Sequence, residues 1–376
     1  MNRIKFIGIV GGTIGLVGTT AYLLSDRTNL VRADLKQTED NNKNLKPDEK
    51  EILFLASLAP SGHNTQPWFV RYLEPYHWII GNDKSKWLPA VDPTQRETML
   101  SIGAFLQNLE YAAGSFGYVC NWKLLATTNQ DDLVMEVKLD KKASPNNFDI
   151  TKITSRRTVR SNFLSDLLKQ EDITYLVDSE PEFTHYLPNT SKESKFIDEQ
   201  TIAANRLQSY RDPAQQELAN WIRFSSQDAD KYRDGLTTAG MEITGIPGWV
   251  VRNSYDKDNV MTKDFRERGI DNIQKEVSES AGWILITSQD NSVAALLETG
   301  RRMERLFLKV RERNIAIHPM TQILEEPSTK ARLNQSIGIG EHIQFILRTG
   351  YLKNYPQPVS LRRPIDRSID LSRPDR

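Results

Sequence analysis

One stretch, residues 57–70 (SLAPSGHNTQPWFV), constrains this chain more than any other. It joins an apolar helical pattern to an apolar strand, and the residues between are polar, small or rigid. Pro60 and Pro67 each fix φ and remove a backbone donor, so the loop between them has little freedom to lose on closing around a ligand. The spacing predicts a preorganised binding loop. From the residues alone, an ordinary turn with capping hydrogen bonds at Ser61, His63, Asn64 and Gln66 fits equally well. Nothing around Ser61 reads G-x-S-x-G, so a serine nucleophile is not expected.

Around the loop the pattern is α plus β. Pro47 opens a helix with Asp48 and Glu49 in its first turn, where negative charge suits the dipole. Strands are predicted at residues 68–73 and 78–80, a largely apolar helix over 96–116 closed by Gly117, and strands at 119–125 and 133–139. A connection near residues 141–147 separates two halves. In the second, helices are expected at 194–208, 213–224 and 293–313, and strands at 283–287, 315–320 and 343–347. A Gly- and Pro-rich segment at 245–249 reads as a mobile cover.

Ahead of all this, Arg3 and Lys5 precede an uncharged run over residues 6–24, nearly the length that crosses a bilayer. It reads as an anchor or a signal segment (residues 1–25), with a buried soluble helix as the alternative. The absence of an evident small-residue cleavage site favours an anchor, and the globular part is then expected outside the cytoplasm. Residues 26–46 read as a flexible tether.

At 376 residues, 26% charged and 38% hydrophobic, the chain can bury a large core. Lys plus Arg and Asp plus Glu each number 49, so no global field draws in nucleic acid. The single Cys120 allows no internal disulfide, and the five histidines show no metal-ligand spacing, so no metal is expected. Arg156, Arg157 and Arg160, with Ser155 and Thr158, form a run whose guanidinium forks and hydroxyls suit one phosphate, although such a run is also compatible with a solvated surface. There is no P-loop and no G-x-G-x-x-G.

APSGHNTQPWFV resembles the flavin-contacting loop of the nitroreductase superfamily, and TSRRTVRSNF resembles its phosphate-binding arginine signature. Ordinary members carry the arginine motif first and the loop second; here the order is reversed within one chain. That order, with the length, resembles the Acg-like branch, in which one polypeptide folds as a monomeric pseudo-dimer of two nitroreductase-like halves. The resemblance implies an α+β fold with half one over residues 47–148 and half two over 149–376. It implies FMN between them, with Pro60, Ser61, Asn64 and Gln66 along the ring and Arg156, Arg157, Thr158 and Arg160 on the phosphate and ribityl chain. The tail VSLRRPID resembles a final phosphate-binding segment and nominates Arg362 and Arg363. His318 opens a segment similar to the loop whose backbone approaches the flavin edge, here Pro319, Met320 and Thr321, with Gln322 where a glycine is usual.

The family's chemistry implies NADH or NADPH as donor, delivering hydride to flavin N5, and a nitroaromatic or quinone-like small-molecule acceptor. No protein group is required as acid or base, so no catalytic residue is nominated. A flavin-holding protein with a covered site and little turnover is the alternative. Half one begins KPDEKEIL without an arginine signature, and half two has no second loop motif, so one FMN per chain is expected.

Overall fold

Helix α1 (Pro47–Ser57) leads through the polar loop into a hairpin of β1 (Trp68–Glu74) and β2 (His77–Asn82), followed by helix α2 (Arg96–Ser115), β3 (Tyr118–Leu124) and β4 (Leu133–Lys141). The computed structural model describes residues 25–35, 45–142, 144 and 146–370. The expected membrane run lies outside them; among the described residues no helix is long and apolar enough to cross a membrane. Residues 36–44 of the expected tether also lie outside them, whereas 26–35 pack against the globular part. Asp26 and Asn253 exchange hydrogen bonds of 2.8 and 3.0 Å, and Arg32 donates to the carbonyl of Thr154.

The second half repeats the first in its order of elements. Strands β5 (Thr184–Pro188) and β6 (Gly282–Ser288) precede helix α7 (Val293–Val310), then β7 (Ile315–Pro319) and β8 (His342–Tyr351). In one sheet the neighbours run β1-β2-β4-β3 and in the other β5-β6-β8-β7, all antiparallel. The halves differ at two connections: helices Gln322–Glu325 and Pro327–Ser336 lie between β7 and β8 with no counterpart between β3 and β4, and the larger difference is between the first two strands of each half. A tight turn at Tyr76 links β1 to β2, whereas residues 189–281 link β5 to β6 and carry helices α3 (Lys192–Tyr210), α4 (Asp212–Trp221), α5 (Gly245–Ser254) and α6 (Lys263–Ser278).

Helices α2 and α7 cross at the centre. A Cβ on Gly103 would fall 2.1 Å from the carbonyl oxygen of Leu297, and one on Gly300 would fall 2.0 Å from that of Leu100. The two contacts exchange when the helices are exchanged, as across a two-fold axis. One apolar cluster fills the space between these helices and the sheets, with Phe105, Leu109, Leu306 and Phe307 among its members.

The tail returns to the first half. Strand β9 (Ile369–Asp370) adds parallel to β1 and completes a five-stranded sheet. Its last turn is tied by Arg71, whose Nε lies 3.1 Å from Asp370 Oδ2. The expected elements are present with small shifts of their ends. Strand β5, helix α6 and strand β9 were not anticipated, and residues 245–249 open a regular helix instead of forming a loop.

Candidate functional site

The polar loop is held in a conformation that ordinary residues rarely adopt. His63, Asn64 and Gln66 have φ of 46°, 55° and 55°. Each such residue costs energy unless its surroundings hold it, and such residues concentrate at functional sites. The restraint here is visible. Asn64 Nδ2 donates to the carbonyls of Gly235 and Leu361, both at 3.1 Å, and Asn64 Oδ1 accepts from Arg362 at 2.7 Å. Gln66 donates through Nε2 to the carbonyl of Arg233 at 2.9 Å and accepts at Oε1 from the Arg363 amide at 3.0 Å. Both side chains are therefore hydrogen-bonded within the protein, and of the two only Asn64 also reaches the cleft lining.

Arg362 is held in the same way. Its Nε donates to the Ser57 carbonyl, one Nη to Asn64 and Leu361, and the other to the carbonyls of Leu58 and Ala59. A guanidinium has five N–H donors and all are spent on protein acceptors, so none remains for a phosphate. Arg363 is engaged by the Gln66 carbonyl and faces Asp83. Arg157 is held by Glu242 at 2.8 Å. Met320 is buried in the apolar cluster behind β6 and β8. Gln66, Arg157, Met320 and Arg363 thus stand behind the wall of the site and not in it.

What the fold does bring together is a cleft of about 410 Å³ between the halves. Pro60, Ser61, Asn64, Arg156, Thr158, Arg160, Pro319, Thr321 and Arg362 all reach its lining. Arg156 is buried, and only one of its nitrogens, Nη2, makes a hydrogen bond, to the carbonyl of Leu58 at 3.0 Å. Its Nε lies 3.5 Å from the fully buried Glu304, and Nε and Nη1 make no hydrogen bond. Burial pushes the Glu304 carboxyl up to about 7, against the pull of Arg156. Arg160 donates to the Gly240 carbonyl at 2.7 Å, so the inserted segment is pinned to the arginine motif.

Residues that the sequence did not nominate also line the cleft. His63 and His318 are both held neutral: burial, with Arg160 adding repulsion, lowers His63 to about 4 and His318 well below the ordinary histidine range. Their Nδ1 atoms have no hydrogen-bond partner, and His318 Nδ1 faces Glu276 Oε2 at 3.5 Å. At the opposite end Glu325 accepts from Gln208 at 2.5 Å and Thr321 at 3.1 Å, and burial beside Glu97 raises its pKa well above the carboxylate range. The cleft thus carries the arginines of the motif and, apart from them, a carboxyl whose burial favours its neutral form. His63 lay inside the recognised loop and His318 beside the nominated turn, but Glu276 and Glu325 have no sequence signal because helices far apart in the chain bring them in. Among the described residues no group of side chains could hold a metal ion.

No family model matches the chain. A Mycobacterium tuberculosis protein provisionally named NAD(P)H nitroreductase Acg is 26% identical over 328 residues, covering 84% of this chain and 93% of that protein. A Serratia protein provisionally named NAD(P)H nitroreductase PigM is 21% identical over 315 residues, covering 79% and 86%. The crystal structure of the FMN-dependent nitroreductase NfnB from Mycobacterium smegmatis in complex with NADPH matches 59% of this chain and 96% of its own at 14% identity. Its TM-score of 0.37 carries no argument. With two separate motifs closing on one cleft, and likeness to Acg along most of both chains, this chain is similar to the Acg-like members of the nitroreductase superfamily.

Proposed function

We propose that the cleft holds one FMN and that the protein is an FMN-dependent NAD(P)H oxidoreductase built as an intramolecular pseudo-dimer. The observation that carries this is Arg156. It is a buried guanidinium on the cleft wall whose Nε and Nη1 make no hydrogen bond and whose ion-pair partner, Glu304 at 3.5 Å, is pushed by burial toward its neutral form. A buried cation with open donors is costly unless a ligand anion completes it. The cleft volume is in the range of small-molecule sites, the two motifs resemble a flavin-contacting loop and its phosphate-binding arginines, and the names of the relatives supply NAD(P)H as donor.

Bound flavin would supply the two-electron chemistry. Arg156, with Thr158 and Arg160, would hold the phosphate end. Pro60, Ser61 and the backbone at His63 would border the ring, with Pro319 and Thr321 on the edge that the second half contributes. Asn64, Gln66, Arg362 and Arg363 act through the loop, fixing its left-handed residues so that no reorganisation is needed on binding. His63 and His318 are kept neutral and can donate or accept a hydrogen bond without adding charge.

A covered, flavin-holding protein remains the second reading, favoured by one contact: the inserted segment is tied across the site by Arg160 and the Gly240 carbonyl. The visible spectrum of the purified full chain, before and after anaerobic NADPH and then NADH, separates the readings. Flavin bands that bleach promptly are expected. Bands that persist would favour the covered reading, and a colourless protein that takes up no added FMN would end both.

A further inference from the structure

The inserted connection presents an apolar tip beside the point where the chain leaves its uncharged N-terminal run. Ile246, in the first turn of α5, is 75% exposed, the largest exposure among the large apolar side chains described. Pro247 beside it is also exposed, and Trp249 follows on the same helix. Trp249 Nε1 donates to Ser25 Oγ at 3.1 Å, and Asn253 at the end of the helix exchanges two hydrogen bonds with Asp26. Asp26 also accepts from the Ser226 amide. Helix α5 is therefore fixed to the residues that directly follow the run over 6–24, which contains no charged side chain.

We propose that α5 is an interfacial helix that docks on the bilayer entered by that run, with Ile246 and Pro247 in the headgroup and acyl boundary. Three features support a lipid surface as the occupant. The uncharged run ends one residue before Ser25, so a chain anchored through it brings α5 within a few ångströms of the membrane surface. Tryptophan beside exposed aliphatic residues at a helix start is a pattern suited to the interface, where an apolar body and a polar tip are both satisfied. Arg27, three residues after the run, is exposed and places positive charge close to its end, which suits anionic headgroups. The proposal does not depend on the cofactor.

The test uses the full chain in phosphatidylcholine–phosphatidylglycerol vesicles that carry a nitroxide at headgroup depth. Cys120 is the single native cysteine and is half-buried, so a Cys120→Ser background allows one fluorescent label at Ile246→Cys. A second variant carries the label at Val119→Cys, an exposed position on the edge strand β3. Far-ultraviolet circular dichroism and the melting temperature check that both variants are folded. Severalfold stronger quenching at 246 than at 119 is expected. Equal, weak quenching at both positions overturns the proposal. If the chain nonetheless floats with the vesicles, the docking of α5 alone is wrong; if it does not float, the anchored reading of residues 6–24 falls with it.

Discussion

Arg156 and Arg362 are the same residue type on the same cleft, and their hydrogen bonds give them opposite tasks. Arg362 spends every donor on the end of α1, on the loop and on its neighbour Leu361, so Arg362→Met leaves the carbonyls of Ser57 and Ala59 and the Asn64 amide oxygen without this donor. Removing one side of such a network costs about 3–5 kcal/mol. Urea unfolding of the flavin-free protein is expected to show that loss, because the role of Arg362 is structural; an unchanged midpoint would return it to the ligand. Arg156→Gln is expected to weaken flavin retention about ten- to a hundredfold, the worth of one charge-assisted hydrogen bond at about 1.5–3 kcal/mol. Equilibrium dialysis against FMN reads it directly. His63 adds a pH dependence. Its pKa is about 4 in the folded protein against about 6.5 unfolded, so between these values the unfolded state binds more protons. This contribution to stability is full above about pH 6.5 and is lost as pH falls toward about 4. The melting temperature should drop across that window, and His63→Asn, which tolerates the left-handed backbone, should flatten the drop.

The central helix crossing is set by two glycines, and it predicts a contrast. Gly300→Ala drives a methyl against the backbone carbonyl of Leu100, which cannot swing aside, so a cost of about 1–3 kcal/mol is expected. Gly269 in α6 meets nothing within 4 Å, and Gly269→Ala should be neutral or stabilise by up to about 1 kcal/mol through helix propensity. Thermal melts of both variants check the pair; equal effects would mean that the crossing is looser than the backbone distances indicate. The long helices were legible because their apolar positions recur at helical spacing, and α2 ends at the glycine that the pattern marks. Strand β5 was not, since THYLP mixes polar residues with a proline, and its place is set by pairing with β6. Helix α6 carries charges along much of its length and shows only Ile270 and Val277 as fully buried apolar residues, too few to stand out. At the site the split is similar. The motifs located the loop and the arginines, but chemical type alone could not tell a guanidinium facing the cleft from one spent on carbonyls.

At the scale of the whole molecule, the repeated order of elements allows the second site to be examined position by position. The polar loop lies between α1 and β1; its counterpart lies between the short helix Gln170–Val177 and β5. There the chain reads DSEPEF over residues 178–183, a shorter connection with acidic side chains at Asp178, Glu180 and Glu182. Glu180 is taken up by Arg302 and Arg305 of α7, so the local cations are already paired with protein carboxylate. The first half offers no arginine run to face it, since α1 begins Pro47, Asp48, Glu49. An anionic cofactor would meet like charge on that side. The long insertion between β5 and β6 is likewise one-sided, walling one cleft with no equivalent in the β1–β2 turn. Duplication of the fold without duplication of the site leads to one FMN per chain. Flavin released by acid and measured against protein concentration is expected to approach one equivalent at saturation, and a ratio near two would require a site that this charge distribution opposes.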